Sequence, residues 1–201
     1  MINLVAAAFV LAYFAFTIWH CRGLRFRTRD IAYASMAVAL SIMLTYFRIP
    51  LPIGTAITFD VLPLMLLALL YDHRLVLVAG LAGGVLAGLI CPGWEPIHWA
   101  QIPLEQLLCF SALGYTGVFG REKRSHILGG VLITTALLLT AHTLSGAVFY
   151  GQFAWEGWSP WLYSLVYNAT YVLPDCLLSG LLLMALPLDT LAKTINGRNH
   201  T

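Results

Sequence analysis

The stretch Leu75-Val-Leu-Val-Ala-Gly-Leu-Ala-Gly-Gly-Val-Leu-Ala-Gly-Leu-Ile90 decides the fold class, because none of its residues has a polar side chain. Similar apolar runs at residues 61–70 and 127–139 also leave no polar face for water. Of the 201 residues, 60% are hydrophobic and only 10% are charged, whereas about a quarter of a soluble domain is charged. The sequence therefore predicts an all-α membrane protein and excludes a water-soluble enzyme.

The net charge and the cysteines exclude further classes of protein. A formal charge of +2 is too small for a surface that binds nucleic-acid phosphates. The four cysteines, at positions 21, 91, 109 and 176, lack the spacing of a metal site and do not indicate a disulfide scaffold. We expect no metal, no cofactor and no nucleic-acid partner.

Seven apolar segments are predicted to be helices. They cover roughly residues 2–19, 30–47, 58–71, 75–91, 101–119, 127–149 and 161–187. The first segment has no basic residue before its apolar run and no small-residue cleavage site after it, so we expect a retained span rather than a signal peptide. The proline- and glycine-rich residues 48–54 are expected to form a loop that dips into the membrane.

The basic residues predict which way the chain faces. With seven spans, ten of the eleven lysines and arginines lie on one side, and only Arg48 lies on the other. The positive-inside rule then places the N-terminus outside and the C-terminus in the cytoplasm of a prokaryotic cell. Five of the six tryptophans follow the fourth span towards the outer side, which favours an aromatic-lined site that opens outward over a symmetric belt.

Polar residues inside the predicted spans point to a binding site. Glu105, His142, Tyr163 and Asn168 come from three helices and lie within about two turns of the outer surface. Glu105 has Gln101 one helical turn before it, on the same face. The predicted spans contain no lysine or arginine, so a carboxylate there suits a cationic ligand or is protonated. The pattern predicts a site for a small polar aromatic ligand.

Other interpretations of the same residues stay open at this point. His142 and Asn168 are also typical of interhelical hydrogen bonds, and in that case the chain is a membrane subunit without a ligand site. Alternatively, Glu105 and His142 are an acid–base pair or metal ligands of an intramembrane enzyme. Asp60 and Asp175 lie close to Pro63 and Pro174 and are interpreted as structural.

One segment is more specific than composition. Residues 142–168 run from a histidine, through Gln152-Phe-Ala-Trp-Glu-Gly-Trp158, to Tyr163-Ser-Leu-Val-Tyr-Asn168. This run, together with Gln101-Ile-Pro-Leu-Glu105, resembles the thiamine-specific substrate-binding subunit, or S component, of energy-coupling-factor vitamin transporters. The resemblance covers about residues 30–190.

The resemblance implies a six-helix bundle that binds thiamine or a related pyrimidine with high affinity and is not an enzyme. It also implies two kinds of partner, a transmembrane coupling subunit and two ATP-binding subunits that supply the energy. By resemblance the ligand-binding residues are Glu105, His142, Tyr150, Tyr163 and Asn168. Trp155, Trp158 and Trp94 are expected to form a lid or to line the pocket.

This chain also departs from the pattern of that family. Residues 1–29 form an additional N-terminal span and basic loop, which leaves residues 30–201 as the substrate-binding domain. The family's surface of small residues for the coupling subunit corresponds here only to Ala34, Ser35 and Ala39. A tryptophan that the family has between its first two helices is missing from residues 48–58.

Overall fold

A computed structural model describes residues 2–52, 55–91 and 95–197, without the side chains of residues 2, 3, 196 and 197. The helices are α1 (Ile2–His20), α2 (Thr28–Leu44), α3 (Leu62–Leu70), α4 (His73–Ile90), α5 (Leu108–Ala112), α6 (Arg124–Phe149), α7 (Pro160–Ala185) and α8 (Leu188–Gly197). A π-helical turn, Ile102–Leu107, runs directly into α5, and a 3-10 turn, Leu113–Gly117, continues from it. We call this continuous rod, residues 102–117, the composite helix.

Among the residues that the structure describes, three helices are long and apolar enough to cross a membrane, by length and composition: α4, α6 and α7. α6 and α7 have 26 residues each, which is about 39 Å of helix and exceeds the roughly 30 Å of a hydrocarbon core. They lie side by side along much of their length, and a short 3-10 turn, Gly151–Phe153, follows α6 in the segment that joins them. The predicted helices 75–91, 127–149 and 161–187 are therefore present, with small shifts at their ends.

The third predicted helix is wrong in its first residues. α3 begins at Leu62, with Pro63 in its first turn, where the missing N–H of proline costs no helical bond. Before it the chain forms a small antiparallel hairpin of β1 (Ile49–Pro50) and β2 (Ala56–Ile57), in which Ile49 faces Ile57 and Pro50 faces Ala56. α3 has nine residues, which reach only about 14 Å, and most of its side chains are buried among the other helices.

Glycines let α4 approach the composite helix closely. A methyl group added at Gly80 would lie 2.3 Å from the carbonyl oxygen of Phe110, and one at Gly84 would lie 2.5 Å from that of Gln106. Real side chains do not reach such distances, so these two helices pack backbone against backbone. Gly80 and Gly84 lie in the apolar stretch that decides the fold class.

α1 is fastened to the bundle by polar contacts as well as by apolar packing. The Tyr13 hydroxyl donates to Ser111 Oγ over 2.8 Å, and the hydroxyls of Thr17 and Tyr115 are 3.2 Å apart. At the end of α1, Nε2 of His20 lies 2.8 Å from Nε2 of His73 at the start of α4. The first segment is thus a helix that packs against the composite helix and α6.

Candidate functional site

Five residues predicted to bind a ligand line a single cavity. Glu105 comes from the composite helix, His142 from α6, Tyr150 from the end of α6, and Tyr163 and Asn168 from α7. The cavity has a volume of about 400 Å³, within the usual range for small-molecule sites. Residues separated by more than sixty positions along the chain are thereby brought to one place.

Glu105 is held by neighbours on two helices. Ser145 Oγ on α6 donates a hydrogen bond to Glu105 Oε1. Gln101 Nε2 donates to the same oxygen over 3.2 Å and lies 3.1 Å from the Tyr150 hydroxyl. Gln101 is completely buried, and its Oε1 accepts the backbone N–H of His98. Gln101 therefore links the Glu105 carboxylate to the Tyr150 hydroxyl.

Asn168 joins α7 to α6 beneath the cavity. Its Nδ2 lies 2.7 Å from the carbonyl oxygen of Ser164 and 3.3 Å from that of His142, and its Oδ1 accepts the hydroxyl of Tyr171 over 2.6 Å. The Tyr171 ring stands edge-on to the His142 ring, with the centroids 5.8 Å apart. The interhelical hydrogen bond considered from the sequence is present, and the same residue also faces the cavity.

Gly146 allows α6 and α7 to meet at this depth. A methyl group built on Gly146 would lie 2.1 Å from Ser164 Oγ and 3.3 Å from Asn168 Nδ2. Ser164 Oγ in turn donates to the carbonyl oxygen of Thr143 over 2.9 Å. Any side chain at position 146 would push the two site-bearing helices apart.

The aromatic residues of the segment between α6 and α7 lie next to the cavity. The Trp155 ring contacts Tyr163 edge-on with centroids 5.2 Å apart, and contacts Trp158 in the same manner at 5.0 Å. Trp155 is 46% exposed and Trp158 is 38% exposed. Trp155 therefore covers Tyr163, Trp158 packs against Trp155, and both rings remain accessible. Trp94 lies outside the described residues.

A second cavity of about 290 Å³ shares Glu105, His142 and Tyr171 with the first. Asp60 and Asp175 line its other side. Asp175 accepts the backbone N–H of Phe59 over 2.8 Å, and its other oxygen accepts the N–H and the hydroxyl of Thr58 at 3.3 and 3.2 Å. These bonds hold the hairpin to α7, in agreement with the structural interpretation of Asp175.

Several residues of the cavity wall were not predicted from the sequence. They are Gly146, Phe153, Ser164, Tyr167 and Tyr171. A signal for two of them was present, because Tyr163, Tyr167 and Tyr171 recur every fourth residue and so lie along one face of α7. Gln101 was recognised as a neighbour of Glu105, but its contact with Tyr150 was not predicted.

The residues predicted to contact a partner line a groove on another face. Ala34, Ser35 and Ala39 border an apolar groove of about 620 Å³ between α2 and α4. Ser35 and Ala39 are exposed, whereas Ala34 is only 8% exposed. Ala34 therefore contributes mainly to packing within the chain, and the accessible small residues are Ser35 and Ala39.

Comparison with known proteins identifies the family. Residues 31–195 match the family described as thiamine transporter protein. The chain belongs to this family. The resemblance seen in the sequence is confirmed. The members of this family are transporters and not enzymes.

Two curated relatives and one solved structure support the assignment. The thiamine transporter ThiT of Bacillus subtilis is 29% identical over 175 residues, covering 80% of this chain and 89% of the relative. ThiT of Lacticaseibacillus paracasei is 27% identical over 180 residues, covering 79% and 89%. ThiT from Listeria monocytogenes has the same fold, with a TM-score of 0.71 at 24% identity over 83% of this chain and 96% of that structure. The predicted fold class is confirmed.

Proposed function

We propose that this chain is the membrane subunit that captures thiamine for uptake, with the Glu105–His142–Tyr163 cavity as its binding site. The relatives from Bacillus subtilis and Lacticaseibacillus paracasei are named thiamine transporters. The observation that carries the proposal is that Glu105, His142, Tyr150, Tyr163 and Asn168 line one cavity of about 400 Å³.

The chemistry of thiamine suits these side chains. Its thiazolium ring is a cation, which the Glu105 carboxylate attracts and on which the Tyr150 ring can stack. Its aminopyrimidine ring has donors and acceptors along one edge, which His142, Tyr163 and Asn168 complement. The link from Gln101 to both Glu105 and Tyr150 holds the two cation-binding groups in place before the ligand arrives.

Trp155 and Trp158 are proposed to cover the bound ligand. They lie on the segment between α6 and α7, where Trp155 contacts Tyr163 and Trp158 contacts Trp155, and both are partly exposed. Movement of this segment over the cavity would exclude water from the thiazolium–carboxylate pair and strengthen their attraction.

The energy for uptake is proposed to come from partner subunits, a transmembrane coupling subunit and two ATP-binding subunits. The exposed Ser35 and Ala39 on α2 permit close approach of a partner helix, as small residues do in membranes. The proposed orientation has the cavity open to the outside, the N-terminus outside and the C-terminus in the cytoplasm, since nearly all basic residues then lie inside.

Calorimetric titration of the purified full chain tests the ligand. We expect thiamine to bind, and its isolated aminopyrimidine, which has no thiazolium cation, to bind at least about tenfold more weakly because the charged contact is lost. Absence of thiamine binding at micromolar concentration would reject the proposed function. Equal affinity for the two compounds would reject cation recognition by Glu105.

A further inference from the structure

A polar cavity lies at the opposite end of the bundle from the thiamine site, where α2 and α4 begin. Its volume is about 450 Å³. It lies between the loop that joins α1 to α2 and the turn that joins α3 to α4. Four arginines line its wall. Arg25 and Arg27 lie on the loop between α1 and α2, Arg29 lies in the first turn of α2, and Arg121 lies just before α6.

The acidic residues on this wall already have partners. Asp30 accepts the backbone N–H of Arg27 over 2.8 Å and the hydroxyl of Tyr71. Asp72 pairs with Arg74, with 2.8 Å between Nη2 and Oδ2. The four wall arginines thus outnumber the two carboxylates, and the cavity favours an anion.

The arginines are placed to donate hydrogen bonds. Arg25 and Arg27 are exposed. Arg121 donates one of its five N–H groups, at Nη1, to the carbonyl oxygen of Leu69 over 3.1 Å, and its Nε forms an ion pair with Asp189 at 3.4 Å. Arginine is the side chain best suited to phosphate, because its planar fork donates two parallel hydrogen bonds.

An apolar groove begins where this polar cavity ends. Phe26 and Leu75 line both the arginine cavity and the groove between α2 and α4. The groove continues past Ala34 and Val78 towards Ile90. Residues 75–90 of α4 correspond to about 22 Å of helix, which exceeds the roughly 15 Å of one leaflet of the hydrocarbon core, so an acyl chain can lie along part of the groove.

We propose that the arginine cavity binds the phosphate of one anionic phospholipid, whose acyl chain passes Phe26 and Leu75 into the start of the groove. A polar, positively charged pocket joined to an apolar channel at the end of membrane helices matches both halves of such a lipid. A soluble phosphate compound would use only the arginines, and a zwitterionic lipid would bring its own cation next to them. The charge surplus and the continuous groove together favour the anionic lipid.

The site also gives residues 22–29 a role that thiamine binding does not require. The extended loop between α1 and α2 supplies Arg25, Phe26 and Arg27, which form one side of the pocket. The bound lipid would then fasten this loop to the α3–α4 turn. It would also lie about 10 Å before Ser35 along α2, next to the surface proposed for the coupling subunit.

Native mass spectrometry of the purified full chain tests this proposal. The protein is exchanged into a neutral detergent and titrated with phosphatidylglycerol or phosphatidylcholine of identical acyl chains. We expect a one-to-one adduct with phosphatidylglycerol that survives activation. We expect about tenfold less adduct with phosphatidylcholine, because its choline cation would lie next to the arginines and weaken their attraction for the phosphate. Equal adducts with the two lipids would overturn the proposal.

Matched variants assign the effect to the cavity. Arg25→Gln combined with Arg27→Gln should abolish the preference for phosphatidylglycerol, whereas Arg25→Lys with Arg27→Lys should retain part of it. Arg22→Gln with Arg124→Gln removes two exposed charges that do not line the cavity and should leave the preference unchanged. If the control pair lost the preference for phosphatidylglycerol to the same extent, general surface charge would explain the preference and the site would be rejected. Circular-dichroism melting of each variant verifies that it is folded.

Competition separates a lipid from a soluble phosphate compound. Glycerol 1-phosphate carries the headgroup phosphate without acyl chains. We expect it not to displace phosphatidylglycerol, because it cannot use the groove behind Phe26 and Leu75. Full displacement by glycerol 1-phosphate would show a soluble-anion site and overturn the lipid assignment. None of these measurements depends on thiamine, so their failure would leave the proposed function unaffected.

Discussion

The charge of Glu105 can be removed while its shape and its hydrogen-bond acceptor are kept. In Glu105→Gln the amide oxygen can still accept from Ser145 and Gln101, so the cavity should keep its form. Loss of the carboxylate charge should weaken thiamine binding about ten- to a hundredfold, the cost of losing one charged hydrogen bond or ion pair. Calorimetric titration measures the change.

The control for this prediction is Glu156→Gln. Glu156 lies on the segment between α6 and α7, is exposed, and does not line the cavity. We expect its substitution to leave thiamine affinity within a factor of two or so, because exposed single charges contribute little. If both variants lose affinity equally, attraction by the general surface charge explains binding and Glu105 has no specific role.

Gly146 should be required for stability as well as for the shape of the site. In Gly146→Ala the new methyl group would overlap Ser164 Oγ, which should cost about 1–3 kcal/mol of stability, as overpacking does. Gly129→Ala on the same helix meets only the exposed ring of Phe119, at 3.1 Å, which can move. Thermal melting should fall for the first variant only. An unchanged melting temperature in Gly146→Ala would contradict the close contact of α6 and α7.

Part of the cavity wall was predictable residue by residue, but its other residues and its internal contacts were not. Glu105, His142 and Asn168 stand out because polar groups in apolar helices are rare and costly. The Gln101–Tyr150 contact joins two helix ends 49 positions apart, and it depends on how far each helix is rotated. Tyr171 belongs to a tyrosine repeat that is equally typical of a membrane-facing stripe. Only packing decides which of these rings face the cavity.

The hairpin before α3 depends on one carboxylate of α7. Asp175 accepts the backbone N–H groups of Thr58 and Phe59 and the Thr58 hydroxyl. Phe59 has a left-handed φ of 56°, an unfavourable conformation for a residue with a Cβ. Asp175→Ala would leave the two backbone N–H groups without this acceptor, at a cost of about 1–3 kcal/mol, whereas the Thr58 hydroxyl can still donate to Asp60, 2.9 Å away. We expect a lower melting temperature in a thermal-shift assay.

A matched substitution on the surface provides the comparison. Asp189 pairs with Arg121 but its side chain is 77% exposed, so Asp189→Ala should change stability by no more than about 0.5 kcal/mol. Equal melting temperatures for the Asp175 and Asp189 variants would mean that the hairpin is not held by Asp175.

Whole helices were predicted more reliably than their ends and irregular parts. Long apolar runs predict α4, α6 and α7 directly, since a single segment can satisfy its own backbone hydrogen bonds in lipid only as a helix. The π-helical turn Ile102–Leu107 deviates from regular helix where other helices pack around it, and the hairpin does so at a partly exposed edge, where Ile49 and Pro50 are accessible. α8 was missed because it is short; it buries Leu188 and Ala192 while exposing Lys193. The change of direction at Pro187 separates it from α7.

α1 should stabilise the molecule without being needed for the thiamine site. The family match begins at residue 31, and none of the residues lining the thiamine cavity comes from α1. A chain that lacks residues 1–29 should keep its thiamine affinity within about threefold and lose about 1 kcal/mol for each of the three polar contacts of α1. Titration and thermal melting measure the two effects separately. A large loss of affinity at unchanged stability would make α1 part of the binding unit.

The orientation of the whole chain follows from where its charges gather. One cavity brings Arg121 together with Arg25 and Arg29, which are far from it along the sequence. The segment between α6 and α7, with Trp155 and Glu156, lies instead beside the thiamine cavity. Since basic loops are retained in the cytoplasm, the arginine end should face inside and the thiamine cavity outside. Glu156→Cys and Glu122→Cys, each in a background without the four native cysteines, place one thiol at either end.

A maleimide that cannot cross membranes should label the thiol at position 156 in intact cells. It should reach the thiol at position 122 only after the cells are permeabilised. Both residues are exposed, so a difference in labelling reports the side of the membrane rather than burial. The reverse pattern would place the cavity on the cytoplasmic side and would be incompatible with capture of an external vitamin. Labelling of both thiols in intact cells would mean that the chain has two orientations and that its basic residues do not determine how it inserts.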